Sequence, residues 1–176
     1  VYREGSRSGV LVSSTEKKKE QNFITERKAP ERPQSLDARI VRFNNNEERW
    51  IAVIGLLNDH PYEIFTGRTE DSFHLPHWCK SGFVLKNKDE QGKSRYDFQY
   101  KDRDGYRITI EGLSRSFNPE YWNYAKLISG VLRHGMPLLD VIHMVGNLHL
   151  DDEFLNTWKN GVIRALKMFV PDGTRA

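Results

Sequence analysis

The sequence predicts an α+β fold, a mainly antiparallel sheet with about three helices packed on one face, preceded by an extended linker. Two observations lead there. From Leu36 to about Glu111 the chain is a series of β-rich runs separated by turn residues, and from Asn118 onward its apolar residues recur at helical spacing. Strands first and helices after place the helices on one face of an antiparallel sheet.

The 176 residues, 38% hydrophobic and 11% aromatic, suffice for one core of ordinary size. The chain opens on a Val within what reads as the end of a strand, and so looks like a fragment of a longer protein. Residues 8–35 are rich in Ser, Thr, Lys and Glu, with the breakers of Ala29-Pro30-Glu31-Arg32-Pro33, and read as a flexible linker. Lys17, Lys18 and Lys19 are flanked by Glu16 and Glu20, the composition of a solvated tether. Residues 1–35 hold eight basic and five acidic side chains, which accounts for the whole net charge of +3 and leaves 19 against 19 in the body. A neutral body argues against a nucleic-acid surface. Apolar stretches such as Trp50 to Leu57 are far shorter than the roughly 20 residues a membrane helix needs. A single cysteine, Cys79, is what a reducing compartment allows, so the expected location is the cytoplasm.

Three strands are expected first, at Ala38 to Phe43, Trp50 to Leu57 and Tyr62 to Thr66, separated by Asn44-Asn45-Asn46 and Asn58-Asp59-His60-Pro61. Consecutive apolar residues Ile51, Ala52, Val53 and Ile54 suit a central strand covered on both faces. A hairpin follows. Tyr96, Phe98 and Tyr100 alternate with Arg95, Asp97, Gln99 and Lys101, while Tyr106, Ile108 and Ile110 alternate with Arg107, Thr109 and Glu111. Opposed residues share a face, so Tyr100 must pair with Ile108 and Phe98 with Ile110. That leaves the loop Arg103-Asp104-Gly105, with Gly105 in the left-handed conformation of a three-residue hairpin with a bulge. The apolar set then reads as a core face.

In the last third, Asn118 is placed as an N-cap before Pro119, and Tyr121, Ala125, Ile128 and Leu132 line a helix ended by Gly135. Met136-Pro137 starts a shorter helix to about Val145, closed by Gly146. Asp151 or Asp152 caps a third, whose apolar face is Phe154, Leu155, Trp158, Val162, Leu166 and Phe169.

Candidate sites are sparse. His74, His77 and Cys79 are weak candidates for metal ligands, because a structural zinc site needs four and no nearby residue completes a standard spacing. A packed loop with Cys79 as a small buried hydrophobe is the expectation. His77 as a base for Cys79 fails on direction, since residues two apart in a strand point to opposite sides. His143 and His149 are placed as capping or surface residues. No Gly-rich phosphate loop, nucleophile elbow or helical His-Glu metal motif occurs. No catalytic, cofactor-binding or metal residues are therefore assigned. The aromatic and basic stretch from Arg95 to Arg115 leaves a nucleic-acid or nucleotide-binding module as the alternative.

The opening Val1-Tyr2-Arg3-Glu4-Gly5-Ser6-Arg7-Ser8-Gly9-Val10-Leu11 resembles the last strand of the ten-stranded barrel of adenosylcobalamin-dependent ribonucleotide reductases, with the turn leaving it. Pro61-Tyr62-Glu63-Ile64-Phe65 and the stretch from Ala125 to Leu138 are similar to the small accessory domain after that barrel. Val170-Pro171-Asp172-Gly173-Thr174 resembles the approach to the Cys-rich carboxy-terminal tail. The resemblance implies residues 1–7 as the end of the barrel, 8–35 as linker, 36–170 as accessory domain and 171–176 as the start of the tail. It implies a parent ribonucleoside-diphosphate reductase that makes DNA precursors with a cobalamin-generated thiyl radical and a cysteine pair. Those groups would lie outside this chain, with only Tyr2 and Arg3 bordering the substrate cavity. Expected partners are the barrel of the same chain and, through the tail, a thioredoxin-type reductant; no membrane is expected. The Thr-Ser-Cys-Pro-Asp string of the accessory domain is absent, and Val84 to Glu111 reads as an added hairpin.

Overall fold

The computed structural model describes residues 23–45, 47–69, 74–113 and 117–171. Tyr2, Arg3 and all of residues 1–22 lie outside the described residues, as do 172–176. Six strands form one antiparallel sheet: β1 (Ser35–Asn45), β2 (Glu48–Leu57), β3 (His60–Arg68), β4 (Ser81–Lys88), β5 (Ser94–Lys101) and β6 (Arg107–Ile110). Their order is β3-β2-β1-β4-β5-β6. Helices α1 (Pro119–Arg133), α2 (Leu138–Gly146) and α3 (Glu153–Lys167) follow. The α+β class and the three helices are as the sequence predicts.

Local chemistry sets the turns. Asn58 and Asp59 both adopt positive φ, 51° and 65°, and join Leu57 to the paired His60 in a two-residue turn of the primed type. In the β5–β6 hairpin Tyr100 pairs with Ile108 and Phe98 with Ile110, and Gly105 has φ 86°, so the predicted register and loop are those observed. Asn118 caps α1 through its side-chain oxygen, which accepts from the Glu120 N–H. After α1, Gly135 at φ 82° allows the Met136 N–H to reach the Val131 carbonyl and its own N–H to reach that of Leu132, the Schellman pattern. Asp152 caps α3 in the same manner as Asn118.

β2 is buried on both faces. Trp50, Ala52, Ile54 and Leu56 join Val41, Phe43 and Ile64 in the core beneath the helices, where Tyr121, Ile128, Val145, Trp158 and Val162 meet them. Ile51 and Val53 face a second core, with Phe65, Cys79, Val84, Phe98 and Tyr100. The second core is covered by the sheet itself. Phe65 of β3 and Tyr96 of β5 have three strands between them in sheet order, yet their rings lie 5.5 Å apart. The sheet is therefore strongly coiled, and β4 assists by leaving β1 halfway: it pairs with Ser35 to Arg39 only.

Three details differ from expectation. β4 was not foreseen, because its apolar residues Phe83, Val84 and Leu85 are consecutive rather than alternating and only Val84 is fully buried. The β6 side of the hairpin is not a sealed core face: Tyr106 is 72% exposed and Ile108 37% exposed, since no further strand covers them. Phe154 points outward and stacks under Arg68, 5.0 Å from its ring, while the rest of the α3 face is buried or packed against the core.

Close approach of α3 to β1 depends on Gly161, because a Cβ there would lie 1.9 Å from Cζ of the buried Phe43. Helix propensity favours Ala over Gly by about 1 kcal/mol, but overpacking outweighs it. Gly161→Ala is expected to destabilise the fold by about 1–3 kcal/mol, read as a lower urea midpoint.

Asp97 sits in a strand as an outward polar residue, yet its side chain is 1% exposed. Burial pushes its carboxyl up, but bonds from Arg95, Asn87 and the Gly112 N–H outweigh this and hold it below the usual carboxylate value. A lowered native pKa contributes stability above the unfolded value of about 4, lost as pH falls through the native one. Asp97→Asn is therefore expected to cost about 1–3 kcal/mol at pH 7. The difference from the natural chain should shrink steadily in urea titrations carried below pH 4.

Candidate functional site

A carboxylate removed from water must find a cation or remain protonated, and Glu63 is such a group, with a side chain 1% exposed. It reaches the interior because β3 is irregular there. Leu56 pairs with Pro61 and Gly55 with Glu63, so Tyr62 is the extra residue of a bulge. Gly55 leaves room beneath it, since a Cβ at that position would stand 2.7 Å from Glu63 Cγ.

The cation is Arg32, from the segment before β1. Its Nε donates to Glu63 Oε2 at 3.2 Å, and Nη2 donates to Glu63 Oε1 at 2.6 Å and to the Val84 carbonyl at 3.1 Å. Nη1 donates to the carbonyls of Pro33 and Gln34 at 2.7 and 3.0 Å. All five guanidinium hydrogens are thus engaged. The guanidinium carbon also lies 5.5 Å from the Tyr96 ring centre. Around it, the Tyr62 hydroxyl donates to the Pro30 carbonyl and the Gln34 amide to Asn87. Residues 30–34, which the sequence reading assigns to the linker, are thereby held against β3, β4 and β5.

Beside the ion pair is a cavity of about 60 Å³ lined by Glu63, Phe65, Tyr96, Trp122, Lys126, Ser129 and Arg133, among others. Phe65, Tyr96 and Trp122 pack with ring centres 5.1–5.7 Å apart. Burial raises the Tyr96 phenol, the Glu63 charge adds to that, and Arg32 and Arg133 pull the other way. The site holds Arg32 bidentately, with one nitrogen on each carboxylate oxygen. Its chemistry is recognition of a guanidinium, with space alongside for about one or two waters.

The residues singled out from the sequence lie elsewhere. Among the described residues, no group of three or more His, Cys, Asp or Glu side chains is placed to hold a metal ion. His74 and His77 are exposed on a broad open groove shared with Arg42 and Arg49. Cys79 is buried in the second core, and its thiol donates to the Ser81 carbonyl at 3.4 Å. Burial raises that thiol, with the Ser81 backbone and Arg42 opposing. Arg42 in turn fixes the loop by donating to the carbonyls of Pro76 and Cys79. Of the hairpin's aromatics only Tyr106 is largely exposed. Phe98 and Tyr100 are buried, Tyr96 is half-buried in the aromatic group, and Arg95 is committed to Asp97. Arg115 lies outside the described residues.

Sequence reasoning missed the Arg32–Glu63 pair. A single acid inside the apolar run Tyr62-Glu63-Ile64-Phe65 was the available signal, since such a residue implies a hidden cation; nothing local identified Arg32 as that cation.

The described residues form a coiled antiparallel sheet backed by three helices, with the buried carboxylates of Glu63 and Asp97 each paired with an arginine. Residues 36–171 match the family described as the NrdJ homologue C-terminal domain, so the chain belongs to that family. It is a ribonucleotide reductase NrdJ-related C-terminal region. No curated protein and no solved structure matches it. The stretch from Val84 to Glu111, read from sequence as an addition, falls within the matched range as β4, β5 and β6.

If Arg32 and Glu63 are a desolvated pair, each alone is costly and both together less so. Arg32→Met is expected to lower stability by about 3–5 kcal/mol, and the double variant Arg32→Met with Glu63→Gln to recover at least about 1 kcal/mol of that. Chemical denaturation of the four members of this cycle measures the coupling directly.

Proposed function

We propose that this chain is the accessory domain that follows the catalytic barrel of an adenosylcobalamin-dependent ribonucleotide reductase, and that it docks on the barrel or positions the redox-active tail. The family match over residues 36–171 carries the reading, and the resemblance of residues 1–11 to the end of the barrel supports it. The domain itself performs no chemistry. Glu63 and Asp97, the buried carboxylates, are both held by arginines, which is the arrangement of fixed geometry and not of proton transfer. The cofactor is assigned to the barrel on the resemblance alone.

Within this reading residues 8–35 tether the domain in the cytoplasm beside its own barrel, raising the effective concentration of the tail. The hold on residues 30–34 gives that tether a fixed point of departure. Thioredoxin-type reductants would reach the tail only when it is presented, whereas a small dithiol diffuses into the barrel unaided. No described helix is long and apolar enough to cross a membrane.

Deleting residues 36–170 from the intact reductase is expected to reduce turnover with thioredoxin by tenfold or more, on the order of an effective-concentration loss, while leaving turnover with a small dithiol near that of the full enzyme. Equal turnover with both reductants would overturn the proposal.

A further inference from the structure

The sheet ends on β6, and no described strand lies beyond it. Its other edge, β3, is packed against α1. The Asp102 N–H donates to the Tyr106 carbonyl at 2.9 Å, which fixes the alternation of the antiparallel ladder. Tyr106, Ile108 and Ile110 turn their backbone groups toward β5, whereas Arg107, Thr109 and Glu111 turn theirs to the open side. An open edge of this kind is a template for another strand.

The side chains select which strand. Arg107 stands directly opposite Lys101 on β5, a like-charged pair that gains from a nearby carboxylate. Neither has an ion-pair partner among the described residues. Glu111 is 69% exposed and lies 3.8 Å from Arg95, so most of its carboxylate faces solvent. On the opposite face Ile108 is 37% exposed beside Tyr100. An added strand should therefore carry an acid opposite Arg107, a base opposite Glu111 and an apolar residue opposite Ile108. β6 of a second copy, run antiparallel about Thr109, supplies all three.

We propose that two copies of this chain associate through β6, with Thr109 opposite Thr109 of the second copy, Arg107 opposite Glu111 and Ile108 opposite Ile110. The two outward-facing sets of backbone groups then bond to each other, and the six-stranded sheets join into one of twelve strands. Of the registers that bring outward groups together, a shift by one pair either way would set Arg107 or Glu111 against Thr109 and lose the charge match. The contact is isologous and closes as a dimer. It is a short one, so association is weak and weakens further with salt.

Sedimentation velocity of the full 176-residue chain, over a concentration series at low and high ionic strength, tests this. A reversible monomer–dimer equilibrium is expected. Arg107→Glu alone and Glu111→Arg alone should each raise the dimer Kd about tenfold or more, since each makes two like-charge pairs, and combining them should return it to within about threefold of the natural value. Thr109→Pro removes an N–H that β5 does not use. It should abolish the dimer while circular dichroism and melting show a folded monomer. A chain that stays monomeric throughout would overturn the proposal, and so would a dimer indifferent to both single reversals or one not recovered by the double.

Discussion

The Arg32–Glu63 ion pair is the constraint on which the coiled sheet depends. Coiling brings β3 and β5 together around Phe65 and Tyr96, but it also encloses the carboxylate of Glu63 between them. Desolvation of a carboxylate without a partner would cost more than the apolar contacts around it return. A guanidinium that bonds Glu63 with two nitrogens and the Val84 carbonyl with one of them links β3 to β4 across the gap that the coil leaves. Tyr96 then covers the guanidinium from β5. The closure is thus built from one residue in an irregular segment, and three strands converge on it.

From that closure the two cores acquire their different characters. Beneath the helices, the core is layered, and small residues set the distances: Gly161 lets α3 come down onto Phe43. Inside the coil large aromatics do the filling, with Phe98 and Phe65 buried and Trp122, contributed by α1, half-buried among them. Gly82 has the same purpose as Gly161, since a Cβ there would lie 2.5 Å from the Gln99 carbonyl oxygen and 2.6 Å from Phe98. Both cores share β1 and β2, which explains why β2 has no exposed face between Trp50 and Leu56.

Much of this was legible in the sequence wherever the determinant is local. The β5–β6 register follows from period-two alternation plus one glycine, and the helix ends follow from Asn118, Gly135 and Asp152, residues whose own side chains or backbone freedom make the cap. What was not legible depends on partners distant in the chain. β4 lacks a period of its own because its burial comes from the coil, not from a flat face packed on helices. Asp97 reads as a surface residue until the chain returns at Gly112 to donate to it. Arg32 reads as linker because its five acceptors lie on Pro33, Gln34, Glu63 and Val84, of which only the first two are neighbours.

These placements also bear on what kind of protein the fold can be. Catalytic sites leave titratable groups under-satisfied, so that a substrate or proton can complete them. Here the two buried carboxylates are each held by an arginine, Asp97 with further bonds from Asn87 and Gly112, and the thiol of Cys79 is raised by burial and hydrogen-bonded to backbone. On the surface, the backbone edge of β6 and the Arg107 and Lys101 pair are left without partners among the described residues, and Ile108 is partly exposed. The buried carboxylates are thus closed while the outer edge of the sheet, among the described residues, is open.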